Sequence, residues 1–253
     1  MTLSDLAARG SNIAVVLFVV SSTLGVGLSL TPAQILAPLK DLRVVSLALV
    51  ANFVAAPLVA FGLWRLLDLD EPLGIGLLLC GLAAGAPFLI KLAEFAKADA
   101  GLTVGVMALL MITTVAYVPI VLPIFLKGSE VDPLTIASSL VILMLIPLAI
   151  GLFWRKQAAD SAARVRPVIG LLSTVSMVLV VVLTIAANFR EVLSVYGTRG
   201  ILAAIAYTAI CAGIGWGLVL FSASARPVLA LGTAQRNAAA AFVVAGQNFD
   251  DPR

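Results

Sequence analysis

Eight stretches of about twenty mostly apolar residues follow one another along the chain, and that repetition constrains the fold more than any other feature. They occupy roughly 12–30, 44–67, 73–97, 102–126, 134–154, 168–189, 201–221 and 227–248. A helix needs about 20 apolar residues to cross the hydrocarbon core of a bilayer. None of the stretches alternates apolar and polar residues strictly, as barrel strands do, so each reads as a helix. Apolar residues make up 62% of the chain and charged residues only 11%. Soluble domains carry about a quarter charged residues. The expected class is an all-α, polytopic membrane protein lying in a lipid bilayer.

Two of the eight stretches are interrupted. The third contains Ala84-Gly85-Ala86-Pro87-Phe88-Leu89-Ile90-Lys91-Leu92-Ala93-Glu94, and the eighth contains Gly232-Thr233-Ala234-Gln235-Arg236-Asn237. Broken backbone and charge are tolerated at membrane depth only where protein or a water-filled cavity surrounds them. A pair of interrupted segments in corresponding halves points to the binding site of a transporter. The first segment pairs with the sixth, the second with the seventh and the third with the eighth. Five steps separate each pair, so the two repeats are inverted. Residues 12–126 form the first repeat, 134–154 an extra helix, and 168–248 a second repeat without a counterpart of 102–126, all in one transmembrane domain spanning 1–253. Pro87 suits the first turn of a helix that begins after Gly85-Ala86.

Composition excludes several chemistries. With no histidine, there are no His proton relays, His metal sites or Ser-His catalytic pairs. Cys80 and Cys211 lie within apolar segments and read as small buried hydrophobes. No Gly-Lys-Ser/Thr phosphate loop occurs. No enzyme, cofactor, metal or nucleic-acid partner is expected. Only Arg9 precedes the first stretch, which is longer than a signal-peptide core and reads as a retained span. Basic residues concentrate in alternate connections, above all Arg155, Lys156, Arg164 and Arg166. The positive-inside rule puts that connection inside a cell membrane and the N-terminus outside.

The interruptions carry the chemistry. Lys91 and Glu94 are three residues apart on one helical face. Lys91 either faces a solute cavity, or pairs with Glu94 or snorkels to the interface and only stabilises the fold. Arg236, flanked by Gln235 and Asn237 with Thr233 nearby, needs an anionic ligand, an acidic partner such as Glu94, or backbone carbonyls. Asn52, in mid-span, reads as an interhelical hydrogen-bonding residue or a ligand. Prolines inside spans, such as Pro57, release carbonyls that neighbours must satisfy. Gln247 and Asn248 belong to the outer interface.

Leu24-Gly25-Val26-Gly27-Leu28, Asn52-Phe53-Val54-Ala55-Ala56-Pro57, Phe95-Ala96-Lys97-Ala98-Asp99-Ala100-Gly101-Leu102-Thr103 and Gln235-Arg236-Asn237 together resemble the bile acid:sodium symporter family. The resemblance implies two inverted repeats, a panel and a core domain, and two broken helices that cross. It also implies sodium ligands, and here the chain departs. The Ser-Asn pair of the first broken helix falls on Leu89 and Ile90, a Thr ligand on Met107, an acidic ligand on Gly232 and a Gln ligand on Arg236. Asn52, Thr103, Thr233 and Asn237 retain oxygens. The resemblance thus implies a secondary transporter of small organic anions by alternating access. Lys91, Arg236, Asn237, Glu94, Gln235 and Thr233 are its expected substrate-binding residues, with fixed cations in place of sodium. The alternatives are sodium symport through Asn52, Thr103, Thr233 and Asn237, or a truncated, non-transporting sensor or partner subunit.

Overall fold

The computed structural model describes residues 3–36, 41–126, 132–187 and 189–248. Within them the chain runs through α1 (Leu3–Ser29), α2 (Pro32–Leu36), α3 (Leu42–Val50), α4 (Ala56–Leu66), α5 (Glu71–Leu82), α6 (Leu89–Phe95) and α7 (Ala100–Phe125). It continues through α8 (Pro133–Leu140), α9 (Ile146–Gln157), α10 (Ala159–Ala187), α11 (Phe189–Val195), α12 (Gly200–Leu218), α13 (Ala225–Ala234) and α14 (Ala238–Asn248). A π turn, Ala51–Ala55, joins α3 to α4, and another, Val141–Leu145, joins α8 to α9. The described residues contain no strand.

Among the described residues, seven helical stretches are long and apolar enough to cross a membrane, including Arg9–Ser29, Leu42–Leu66, Ala159–Ala187 and, taking α13 and α14 together, Ala225–Gly246. The interrupted third stretch is the pair α5 and α6, neither half long enough alone. The chain is therefore a multi-pass helical membrane protein. Its outer face is apolar: Val168, Leu171, Val175, Val178 and Val182 on α10 are all exposed. Such a face suits lipid tails, which bury it without a protein partner.

Acidic caps start several helices. Asp41 accepts from the Val44 N–H, Asp99 from the Leu102 N–H, and Asp132 from the Leu134 and Thr135 N–H groups. Each satisfies a donor that the helix itself leaves orphaned. At the far end of α6, Lys97 adopts φ 50°, and the Ala98 N–H returns to the Ala93 carbonyl at 2.9 Å. That pattern closes a helix with a left-handed residue after it.

Three boundaries differ from the sequence expectation, the first being α1, which starts at Leu3 rather than near Asn12. Pro87 and Phe88 form a turn, and α6 starts at Leu89 rather than at Pro87. Only Ala158 separates α9 from α10, so Arg155, Lys156, Arg164 and Arg166 stand on helices rather than in a loop. The alanine-rich run 158–163 continues as helix there, and Pro167 lies inside α10 rather than in its first turn. Arg155 Nη1 donates to the Ala159 carbonyl at 3.1 Å. The side chains of Gln247 and Asn248 lie outside the described residues.

Helix α1 packs along α10 and against α9. Ser11 and Thr184 hydroxyls meet at 2.8 Å, and Gly27 and Gly151 let the α1 and α9 backbones touch. A Cβ on Gly151 would stand 2.8 Å from the Leu28 nitrogen. Span ends carry amphipathic side chains: Trp64 Nε1 donates to the Leu69 carbonyl at 3.2 Å, and Arg43 stacks 3.8 Å over Phe221. Trp, Tyr and Arg favour such interfacial positions. Around the two interruptions Leu78, Leu82, Leu89, Met107, Leu110 and Met111 are fully buried.

Candidate functional site

The first interruption is built by glycine and a threonine. Helix α5 ends at Leu82, and Ala83 turns extended, with φ −92° and ψ 107°. Gly85 then adopts φ +76°, a region that side chains rarely enter. Its backbone lies directly on α7: a Cβ there would approach the Met111 nitrogen and lie 2.7 Å from the Leu110 carbon and the Met107 oxygen. Thr114 on α7 holds Ala84 from both sides. Its hydroxyl accepts from the Ala84 N–H at 2.9 Å and donates to the Ala84 carbonyl at 3.1 Å. A severed helix leaves backbone groups unpaired in an apolar setting, and one hydroxyl here satisfies two.

The second interruption crosses the first. Helix α13 ends at Ala234, and Gln235 is extended, with φ −85° and ψ 125°. The Asn237 N–H donates to the Ala83 carbonyl at 3.0 Å. Asn237 Nδ2 points to the Gly85 and Ala84 carbonyls at 3.3 and 3.4 Å, and its Oδ1 accepts from the Ala240 N–H at 3.2 Å. One asparagine thereby starts α14 and holds the opposite break. Around this junction α14 packs on α5, and α13 packs on α6.

Arg236 is the charge at the junction. Its Nε donates to the Cys80 carbonyl at 2.8 Å. Nη1 donates to Asn52 Oδ1 at 2.7 Å and the Thr233 carbonyl at 3.3 Å. Nη2 donates to the Gly81 carbonyl at 2.6 Å and the Asn52 carbonyl at 3.5 Å. A guanidinium has five N–H donors, and five oxygens meet them. Cys80 and Gly81 belong to the last turn of α5, and Thr233 to the last turn of α13, where carbonyls lack helical partners and helix dipoles present their negative ends.

The Asn52 carbonyl is free for a different reason. In the π turn the Ala56 N–H returns to the Ala51 carbonyl, and Pro57, next in line, has no N–H to offer. Two carbonyls are released as a result. Arg236 takes that of Asn52, and the Tyr117 hydroxyl takes that of Phe53. The freed carbonyls expected at Pro57 thus have named recipients.

Of the residues singled out in sequence, the fold gathers Asn52, Thr233, Arg236 and Asn237. Asn52, Thr233 and Asn237 are buried, and Asn52 Nδ2 lies 3.3 Å from Thr233 Oγ1. Gln235 sits in the same break with its Oε1 buried and without a hydrogen-bond partner among the described residues. Thr103 is buried in the first turn of α7, where its hydroxyl donates to the Asp99 carbonyl at 2.6 Å. Lys91 and Glu94 are both exposed on α6, the other half of the first broken helix, and neither side chain has a hydrogen bond or ion pair among the described residues. Glu94 is therefore not the partner of Arg236; backbone carbonyls and Asn52 are. Leu89 is buried, and a Cβ on Gly232 would lie 3.4 Å from its Cδ2. An apolar contact fills this part of the crossing.

Thr114, Tyr117 and Tyr207 were not apparent in the sequence. Tyr207 on α12 is 3% exposed, and its hydroxyl finds no oxygen or nitrogen partner among the described residues, with the Cys211 thiol one turn on as its neighbour. A tyrosine in the middle of an apolar run was the available signal, because a buried hydroxyl usually finds a partner.

The sequence profile of the sodium bile acid symporter family matches residues 14–195, well over half of the chain. That stretch includes the first break and ends before the second. YocS of Bacillus subtilis (strain 168), described as an uncharacterized sodium-dependent transporter, is 29% identical over 143 residues. The alignment covers 54% of this chain and 44% of that protein, so the chain spans less than half the length of the relative it matches.

Proposed function

The chain belongs to the sodium bile acid symporter family, and from that premise we propose that it carries small organic anions across a cell membrane, without sodium, by alternating access around its two crossed breaks. One observation carries the reading: the Asn237 N–H of one break bonds to the Ala83 carbonyl of the other at 3.0 Å. Irregular backbone persists at membrane depth where it lines a solute path or is enclosed by protein. Two breaks tied to each other form a fixed point about which packed helices can rock.

Charge sets the proposed solute class. Arg236 and Lys91 stand on opposite halves of the crossing, Arg236 against α5 and Lys91 on α6. Lys91, exposed and unpaired, is the group available to an incoming carboxylate. Glu94, one turn away, tempers its field, and Gln235 adds a polar group beside the crossing. A unit charge attracts an anion at 4 Å by about 1 kcal/mol in water and about 4 kcal/mol near a protein surface.

A second reading, sodium symport, is favoured by the description of YocS as sodium-dependent. Against it stand the oxygens themselves. Asn52 Oδ1 serves Arg236, Thr233 Oγ1 lies against Asn52 Nδ2, Asn237 Oδ1 caps α14, and the Thr103 hydroxyl donates to its own helix cap. Sodium needs several oxygens turned toward one point, and these are turned toward donors or within their own helices. Uptake of labelled organic carboxylates into proteoliposomes, with sodium replaced by choline, tests the proposal. Uptake in choline supports it; a strict sodium requirement overturns it.

A further inference from the structure

We propose that the oxygens around Arg236 form a monovalent-cation cage whose resident ion is the chain's own guanidinium, and that the cage takes up a free cation once that side chain is removed. The five oxygens come from three separate places: Cys80 and Gly81 at the end of α5, the Asn52 side chain and carbonyl at the π turn, and Thr233 near the end of α13. All five are neutral. No carboxylate stands among them, so the cage suits a single positive charge rather than a hard divalent ion, which draws on carboxylates.

The arrangement is unfavourable when empty. Two helix C-termini and a carbonyl stranded by Pro57 point their negative ends at one spot in an apolar core, and none has another donor among the described residues. Buried acceptors left unpaired cost free energy, and a cation at a helix C-terminus recovers some of it. Arg236 supplies that cation from within the chain. Its side chain is fixed two residues from α14, so it reaches the cage without diffusing and competes with any dissolved ion at high effective concentration. A guanidinium is also more weakly hydrated than an ammonium, which eases its entry into a dry site.

This inference deepens the sodium-free reading, since it names what stands in the place of a mobile ion. It rests on that reading only for its consequence in transport. The cage itself is open to test on purified protein with no solute present.

The experiment is thermal unfolding of the wild-type protein and of Arg236→Ala in detergent, at constant ionic strength, with guanidinium, sodium or choline chloride at about 20 mM. R236A is expected to unfold on the order of 5 °C or more below the wild type, because several buried acceptors lose their donors. Guanidinium should recover at least half of that shift, sodium a smaller part and choline none, while the wild type responds to none of the three. The double variant Asn52→Ala with Arg236→Ala should lose the guanidinium recovery. Arg236→Gln, which keeps two amide donors, is the second variant and is read in the same way. A response to guanidinium and sodium no larger than that to choline overturns the proposal. So does equal stabilisation of the wild type by sodium, or failure of both variants to fold at all. Sodium-dependent uptake by the wild type combined with guanidinium recovery in R236A would keep the cage and discard the sodium-free reading.

Discussion

Arg236 Nη1 and Asn52 Oδ1 meet at 2.7 Å, although 184 positions separate them in the chain. The contact ties the second broken helix to a π turn in another span, and it faces inward from both sides. Asn52 in turn donates through Nδ2 to the Ala48 carbonyl at 3.0 Å and toward Thr233 Oγ1 at 3.3 Å. Asn52 is thus committed as donor and as acceptor, and the guanidinium depends on it for its one side-chain oxygen.

Replacing Asn52 should therefore be felt at Arg236. Asn52→Ala removes an acceptor from a buried charged donor, a change worth about 1.5–3 kcal/mol. For a chain of this size that corresponds to a fall in Tm of about 5–10 °C. Asn52→Asp keeps an oxygen for Nη1 and adds a charge of the right sign, so it should retain more than half of the lost stability. Thermal unfolding of both variants in detergent checks this. Equal losses in the two would mean that packing, not the bond to Arg236, sets the cost.

Thr114 offers a sharper probe of the first break, because valine has nearly the same shape. Thr114→Val leaves the Ala84 N–H and carbonyl buried without their shared partner. The expected cost is about 2–3 kcal/mol, together with loss of solute uptake as the break relaxes. Thr114→Ser keeps the hydroxyl and should cost less than about 1 kcal/mol. A valine variant as stable as the serine variant would show that the break is held by other contacts.

Both breaks were legible because glycine, proline and charged residues stand out in an apolar run. Gly85 and Pro87 mark the first, and Gln235-Arg236-Asn237 the second. The spans were legible from apolar length, within a few residues at most ends; the starts of α1 and α10 were missed because the polar and charged positions around Arg9 and Arg164 looked like loops. What surrounds Arg236 was only partly legible. Carbonyl partners were among the options, yet nothing in the order of residues says which helix end will face a given side chain. The role of Thr114 was illegible for the same reason: a threonine in mid-helix looks like any other until the backbone it touches is known. The π turn at Asn52 is hidden as well, since Pro57 signals a kink without saying which carbonyls it frees or who receives them.

Gly85 should tolerate no side chain. At φ +76° an alanine is strained by about 1–2 kcal/mol before any clash. Its Cβ would also press on α7 backbone at Leu110 and Met107, both 2.7 Å away, where no rotamer change gives relief. Gly85→Ala is expected to lose more than about 4 kcal/mol, a range confined to a few severe mechanisms, and to give little folded protein on size-exclusion chromatography. Gly81 provides the contrast. A Cβ there meets the Ala60 Cβ at 2.7 Å, a side-chain atom, so Ala60→Gly should rescue Gly81→Ala. A folded, stable Gly85→Ala variant would contradict the geometry of the first break.

Lys91 separates a solute-binding role from a structural one more cleanly than any other residue here. It is exposed and its side chain has no hydrogen bond or ion pair among the described residues, so Lys91→Ala should change stability by no more than about 0.5 kcal/mol. If Lys91 meets the anion, the same change removes a favourable charge contact of about 1–2 kcal/mol. Apparent affinity for carboxylate solutes should then fall on the order of tenfold. Lys91→Arg, keeping the charge, should retain most of the uptake, and Lys91→Glu should reduce it further than alanine does. The dependence on charge should weaken in high salt, because an exposed pair is screened over about 10 Å at 0.1 M. Initial uptake rates against solute concentration, measured for the three variants at two salt concentrations, read all of this at once. Uptake indifferent to the charge at position 91 would remove Lys91 from the site, and with it the proposed contact to the anion.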